Sequence, residues 1–321
     1  KEKLIKDIIE YQINGSEKLI YLAESTISGT GDIEEDADGH LRNGYPTHGI
    51  RLKLNTPVNW MDNTKESRNV RYKMQAWLAT DGVLRADYYR RNDDWFRPAL
   101  GYALDWIDTF IIEDNVEDFN WYDMAVGQRG TKLAYILRRS LIEDEPMESI
   151  CGMIVAADIH MQELMQTDKI ASHSNHGLFQ MAGLISLSCS LPFLSLSEKG
   201  IKFATRHIRL MLSEHFSSDG LHKEHSPVYH LYMTNYLSLL LESRFMDDSV
   251  EFVQLAECAI ENASWLCQPD EKILPFGDSP PVDIIRRADF PLNKVMEKPV
   301  PLEGFKYFDE GGLVIHSSYN D

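Results

Sequence analysis

The chain has 321 residues, of which 43% are hydrophobic, and this is enough to bury a large core. Its 50 acidic and 32 basic residues give a formal net charge of −18 at pH 7. Nucleic acids and anionic membranes both bind to basic surfaces, so this charge argues against either as a partner. No apolar run in the sequence approaches the ~18 residues that a membrane-spanning helix needs.

Apolar residues recur at helical spacing along most of the chain. In chain order this periodicity predicts helices near residues 1–24, 70–90, 99–111, 131–143, 150–164, 177–190, 201–212, 229–245 and 252–266. Loops are expected at 27–47, 54–68, 112–120, 143–147, 166–176, 217–228 and 268–304. Acidic residues from Glu34 to Asp38 hint at a calcium loop, but Tyr45 stands where the closing Glu should be. A solvated acidic loop is the better interpretation.

Many amphipathic helices joined by polar loops are typical of stacked antiparallel helix pairs. The predicted fold class is therefore mainly α, an incomplete (α/α) toroid of antiparallel helix pairs. The proline-rich segment 268–304 indicates a domain boundary, and two β-rich runs around Gly311-Gly312 predict a hairpin after it. We expect a toroid domain over residues 1–304. Residues 305–321 would be the first strands of a truncated antiparallel β-domain whose remainder is absent from the chain.

Asn175 and His176 form the first polar cluster of interest, because they precede an apolar helix that begins near Gly177. Free N–H groups and the dipole at a helix N-terminus favour an anion. An Asn amide can donate to a carboxylate, and His can donate or accept. The alternative is that Ser174 or Asn175 is only the N-cap of the helix.

The second cluster lies at residues 224–230, just before another apolar helix. Four histidines fall within the sixteen positions 215–230, yet none has the spacing of zinc ligands, so we expect no metal. Tyr229 is either an acid/base group or a core tyrosine with a bonded hydroxyl. Trp121 and Arg129, in an aromatic run before a helix, suit either stacking on sugars or packing between helices.

Several of these runs occur together and in a fixed order. They are residues 121–129, Asn175-His176-Gly177, residues 224–230, Pro275-Phe276-Gly277-Asp278-Ser279, and the aromatic-Asp-Glu-Gly-Gly sequence at 308–312. In this order they resemble the heparinase II/III-like polysaccharide lyases. The resemblance implies a toroid followed by a β-sandwich domain, and a periplasmic or secreted location. It also implies a carboxylate-neutralising His from the β-domain, for which this chain has no clear match.

The resemblance assigns roles to the two clusters. It implies that Asn175 neutralises the carboxylate of a uronate, that Tyr229 is the acid/base, and that His176 is a helper or second base. The residues then expected to bind substrate are Trp121, Arg129, Glu224, His225 and His230. The partner would be an acidic polysaccharide or oligosaccharide, such as a glycosaminoglycan or alginate, cleaved by β-elimination without a metal or other cofactor.

Tyr229 raises a further requirement, because a tyrosine has a reference pKa of about 10. Nearby positive charge must lower that pKa before the phenol can act as a base near neutral pH. The candidate sources of that charge are His176, His225, His230 and Arg129. Two other functions stay open at this point: a glycoside hydrolase on a similar helical toroid, and a non-catalytic carbohydrate-binding protein. Only a lyase would create a C4–C5 double bond in its product.

Overall fold

The computed structural model describes residues 32–61, 67–246, 248–268, 272–279 and 303–318, and these are mainly helical. The helices are α1 Ile33–Asn43, α2 Arg68–Gln75, α3 Asp81–Arg90, α4 Asp93–Ile107, α5 Asp123–Ile142, α6 Met147–Leu164, α7 Asn175–Ser190, α8 Ser197–His215, α9 Pro227–Ser243 and α10 Val250–Ala263. The strands are β1 Tyr45–Thr47, β2 Ile50–Leu52, β3 Gly304–Phe308 and β4 Leu313–Ser317. The predicted helix at 1–24 and most of the predicted loop 268–304 lie outside the described residues.

The chain divides into two compact units, and the division falls after Arg206, within α8. The described residues up to Arg206 belong to the first unit, and those from His207 onward belong to the second. The hairpin of β3 and β4 belongs to the second unit together with α9 and α10. The boundary predicted between residues 304 and 305 stays a prediction.

In the first unit, helices α5, α6 and α7 pack against one another. Every residue from 125 to 140 in α5 and from 177 to 188 in α7 is buried, so both helices are covered on all sides over these ranges. Consecutive helices joined by short connections run antiparallel, so α5 and α7, separated by α6, have their N-termini at the same end.

In the second unit, α9 packs against α10, and the β3–β4 hairpin contributes one of its faces to the core. Phe308 and Ile315 of the hairpin are buried against Leu221 and Leu266. The register pairs Phe308 with Leu313 across the turn that contains Gly311 and Gly312, as the hairpin prediction requires. None of the helices in the described ranges combines the length and apolarity that a bilayer span demands.

The predicted loop at 27–47 is wrong at residues 33–43, because these form α1. Asp32 caps this helix by accepting from the backbone N–H groups of Glu34 and Glu35, and acidic residues fill its first turn. Only Ala37 and His40 are buried, so the apolar periodicity is too weak to reveal the helix. The acidic residues therefore lie along a helix, in neither a calcium loop nor a solvated loop.

The prediction of one continuous helix at 70–90 is also wrong. The backbone turns at Trp77, whose φ of 56° is left-handed, and a short 3-10 segment, Leu78–Thr80, separates α2 from α3. Helix α5 begins at Asp123, eight positions before the predicted start near 131. Buried polar residues in its first half hide the apolar pattern there, and Arg129 is the largest of them.

Candidate active-site residues

Asn175 is the first residue of α7, and Ser174 occupies the N-cap position. The Ser174 side chain makes no capping hydrogen bond, so neither residue acts as the side-chain cap that the alternative interpretation required. Asn175 is half-buried, and its side-chain amide has no hydrogen-bond partner within the part of the chain that the structure describes. An amide in that position is available to a ligand.

His176, the next residue, is held by Asp123 at the start of α5. Its Nδ1 lies 3.0 Å from Oδ2 of Asp123, and a third of the imidazole side chain (33%) is exposed. The other carboxylate oxygen of Asp123 accepts from the backbone N–H of Met124. The hydrogen bond to Asp123 raises the pKa of His176, whereas burial and Arg68 oppose that rise. At Asp123, burial acts to raise the pKa of the carboxyl. The hydrogen bonds to His176 and Met124 act the other way, and the pKa of Asp123 is lowered overall.

A cavity of about 320 Å³ lies beside Asp123. Its lining includes Trp121, Tyr122, Asp123, Glu163 and Lys169. Trp121 therefore borders a cavity, as a residue that stacks on sugars must, although its ring also packs against Trp106 and His160 inside the core. The ammonium group of Lys169 is paired with Glu163 at 2.5 Å.

Sequence reasoning missed two residues of this region, Asp123 and Arg68. Arg68 donates to the hydroxyl of Tyr122 at 2.9 Å, and its guanidinium carbon lies 5.4 Å from the centre of that ring. It is an exposed residue at the start of α2. No sequence signal joins Arg68 to Tyr122, because 54 positions separate them. Asp123 stood inside the quoted run 121–129, but nothing there marked it as a partner of His176.

Arg129 was predicted to bind substrate, and the structure contradicts this. Its side chain is 0% exposed. It donates to the backbone oxygens of Gln75 and Asn120 and to Nε2 of His160, and it packs 4.0 Å from the ring centre of Trp106. A fully buried cation whose three nitrogens each donate within the core is out of reach of a sugar, so Arg129 holds the core of the first unit together.

Tyr229 lies in the second unit, as the third residue of α9. It is 39% exposed, and its hydroxyl has no hydrogen-bond partner among the described residues. It is therefore not the bonded core tyrosine of the alternative interpretation. Glu224 and His225 are exposed in the turn before the helix, where His225 has a left-handed φ of 52°. Both remain candidates for contact with substrate.

His230 was also predicted to bind substrate, and the structure contradicts this too. The ring is 1% exposed; its Nδ1 accepts from the backbone N–H of His222, and its Nε2 bonds Ala259 O. Burial lowers the pKa of His230 to about 4 and, with help from neighbouring histidines, that of His222 to about 3. Both rings are neutral at pH 7, so neither supplies positive charge to Tyr229.

The run 275–279 shapes the turn that precedes Tyr229. Ser279 Oγ accepts from the backbone N–H of Val228 and lies 2.9 Å from Ser226 Oγ, so it serves as a cap for α9. Gly277 packs so closely that an added Cβ would lie 2.4 Å from the carbonyl oxygen of His225. This run was quoted only for the resemblance, and its contacts show how it supports the start of α9.

Within the described ranges, no three His, Cys, Asp or Glu side chains are grouped so that they could hold a metal ion. That the protein needs no cofactor stays an expectation.

Solved structures of known proteins are similar to most of this chain. A crystal structure of a heparan sulfate lyase, a HepC mutant from Pedobacter heparinus, is 18% identical with a TM-score of 0.64, and the match covers 88% of this chain and 47% of that one. A heparinase III structure is 17% identical with a TM-score of 0.61, covering 94% and 53%. A second heparinase III structure is 15% identical with a TM-score of 0.59, covering 84% and 44%. No curated protein sequence matches the chain.

The chain thus spans about half the length of these solved structures. Their similarity confirms the predicted fold class, mainly α and of the (α/α) toroid type with a terminal antiparallel hairpin. The model of the Heparinase II/III N-terminus family matches residues 11–293, most of the chain, and the chain therefore belongs to that family.

Proposed function

We propose that this chain is the helical part of a lyase that cleaves a uronate-containing polysaccharide by β-elimination. The observation that carries the proposal is that the Asn175 amide and the Tyr229 phenol are both accessible and unbonded among the described residues. Buried polar side chains are usually hydrogen-bonded within the protein, whereas these two are open to a ligand. These two are the residues to which the family resemblance gives the central roles.

The chemistry assigns one task to each group. The C5 proton of a uronate is weakly acidic because the neighbouring carboxylate is already negative. Donors on that carboxylate, from Asn175 and His176, stabilise the additional charge that develops when the proton leaves. The phenolate of Tyr229 takes the C5 proton, the C5–H electrons form the C4–C5 double bond, and the C4–O4 bond breaks. The resulting phenol then protonates O4 of the leaving sugar.

Of the four residues that the sequence offered as sources of positive charge for Tyr229, Arg129 and His230 are buried. His176 and His225 are accessible, and they stay the candidates for that role.

The substrate class that we propose is a glycosaminoglycan. Its support is that the solved structures similar to this chain include a heparan sulfate lyase and heparinase III. Alginate, the other uronate polymer considered, has no such support and serves as a comparison substrate.

A glycoside hydrolase would need a carboxylic acid whose pKa is raised, so that it can protonate the leaving group. The carboxylates at the cavity are instead engaged by cations: Asp123 with His176, Glu163 with Lys169 and Asp118 with Arg71. The pKa of Asp123 is lowered as a result. This arrangement favours the lyase.

The test is to incubate the protein with heparan sulfate, chondroitin sulfate and alginate, and to measure two products separately. A lyase releases new reducing ends together with the ultraviolet absorbance of an unsaturated uronate. A hydrolase releases reducing ends without that absorbance. A non-catalytic binding protein produces neither signal but binds the polymer. Either of the last two outcomes would refute the proposal.

A further inference from the structure

We propose that Asp123 is a positioning residue: it fixes the His176 ring through Nδ1, so that the Nε2–H group serves as a charged donor to the carboxylate of an acidic sugar. This rests on the proposed lyase function and decides between the two roles that the resemblance left open for His176. Under this inference His176 binds the carboxylate and is not a second base.

The geometry leaves one nitrogen of the ring for a ligand. Nδ1 is engaged by Asp123 at 3.0 Å, whereas Nε2 has no hydrogen-bond partner among the described residues. Asp123 is itself fixed, because it begins α5 and accepts from the N–H of Met124. The ring orientation is therefore set from one side, and the free Nε2–H lies on a side chain that is one-third exposed.

The charges around the pair favour a protonated ring. The bond to Asp123 is the largest influence on the pKa of His176 and raises it; burial and Arg68, from α2, oppose the rise. The other charged side chains at the neighbouring cavity are paired elsewhere, Asp118 with Arg71 and Glu163 with Lys169. Asp123 is thus the charged group that stabilises the imidazolium.

The consequence for an anionic ligand is direct. With a neutral imidazole, the pair would carry a net negative charge and would repel the carboxylate of the substrate. With an imidazolium the pair is neutral and presents a charge-assisted donor, a stronger type of hydrogen bond than one between neutral groups. A group kept protonated in this way cannot also remove the C5 proton, so that step stays with Tyr229.

The first experiment measures the protonation of His176 directly, by NMR titration of the full chain labelled at histidine. In Asp123→Asn the titration midpoint of His176 should fall. In the control variant Asp118→Asn, which removes one carboxylate charge from the same cavity without touching the ring, it should stay nearly unchanged. Asp123→Glu should restore part of the effect. An unchanged midpoint in Asp123→Asn would overturn the inference whether or not the protein is a lyase.

The second experiment measures binding of heparan sulfate oligosaccharides and initial rates across pH. Affinity should weaken as pH rises through the His176 midpoint, and Asp123→Asn should weaken it about 10-fold or more at neutral pH, the equivalent of one charged hydrogen bond. The alkaline limb of the rate profile should move to lower pH in that variant. Movement of the acidic limb alone would identify His176 as a base and refute the inference. Normal pH-dependent binding without any unsaturated product would instead refute the lyase function alone.

Discussion

Gly127 and Gly183 lie in direct contact where helices α5 and α7 cross. A Cβ added to Gly183 would lie 2.3 Å from the carbonyl oxygen of Gly127, and one added to Gly127 would lie 2.2 Å from the carbonyl oxygen of Phe179. Gly127 is one helical turn after Asp123, and Gly183 is two turns after His176. The close approach of the two backbones thus lets a short carboxylate on one helix reach the imidazole on the other.

Gly127→Ala should destabilise the first unit, because the methyl group meets backbone atoms that cannot rotate away. Overpacking of a core usually costs 1–3 kcal/mol, and we expect about 3 kcal/mol here because the obstacle is backbone. Thermal or urea unfolding measures the loss. Gly39→Ala is the matched control, since it lies in α1 with nothing within 4 Å of the added Cβ. It should be neutral or slightly stabilising, and equal losses in both variants would contradict the argument.

Asn175→Ala should reduce turnover much more than stability. The amide makes no bond to the described protein and is not the N-cap, so its loss should change the free energy of unfolding by less than about 0.5 kcal/mol. As a donor to the substrate carboxylate, it should contribute about 2.7–4 kcal/mol to the barrier, a 10²–10³-fold effect on rate. Unfolding and initial rates measured on one preparation decide the matter. Lower stability with unchanged specific activity would restore the capping role.

Tyr229→Phe should abolish elimination and leave folding and sugar binding nearly intact. The change removes only a hydroxyl that has no partner among the described residues, so the packing of α9 should hold. The loss of an acid/base group typically costs 10²–10⁴-fold in rate. Release of unsaturated product is compared with the wild type, and circular dichroism confirms the fold. A variant that kept most of its turnover would exclude Tyr229 as the acid/base.

The sequence predicted the helical class and the terminal hairpin well, because long apolar stripes and the Gly311-Gly312 turn are local signals. It failed at α1, where a polar helix is stabilised by the Asp32 cap and buries only Ala37 and His40. It also failed at Trp77, where no glycine or proline marks the left-handed turn. Local patterns do not reveal such features, because the rest of the unit determines them.

The residues of the candidate site show the same difference between what local sequence patterns reveal and what they do not. Asn175, His176 and Tyr229 could be chosen as candidates from the sequence because each lies at the start of an apolar helix in a recognisable run. Burial could not be read from those runs, so Arg129 and His230 were chosen although both lie in the core. Hydrogen-bond partners that are distant in sequence could not be predicted either. Asp123, the partner of His176, is the clearest case, because 53 positions separate the two residues.

Arg129→Met should destabilise the first unit strongly. The change leaves the carbonyls of Gln75 and Asn120 and the Nε2 of His160 without their donor. Buried acceptors that lose a charged partner cost on the order of 3 kcal/mol or more in total. Arg90→Gln, which breaks an exposed pair with Glu34, should cost less than about 1 kcal/mol and is the control. If Arg129→Met kept its stability but lost affinity for heparan sulfate, the substrate-binding role would have to be reinstated.

The stability of the second unit should fall in mild acid because of His222 and His230. Their folded-state pKa values are about 3 and about 4, below the ordinary value of 6.5. The unfolded chain therefore binds more protons than the folded chain at pH values between the folded-state and the ordinary pKa. The stabilisation is complete above pH 6.5 and is lost as pH falls towards 4. For His230 alone the loss between pH 7.5 and pH 5 is about 2 kcal/mol. Urea unfolding at both pH values measures this loss.

His230→Gln keeps a donor for the carbonyl of Ala259 but cannot be protonated, so its stability should change less between the two pH values. Equal changes in the variant and the wild type would show that other groups cause the acid sensitivity.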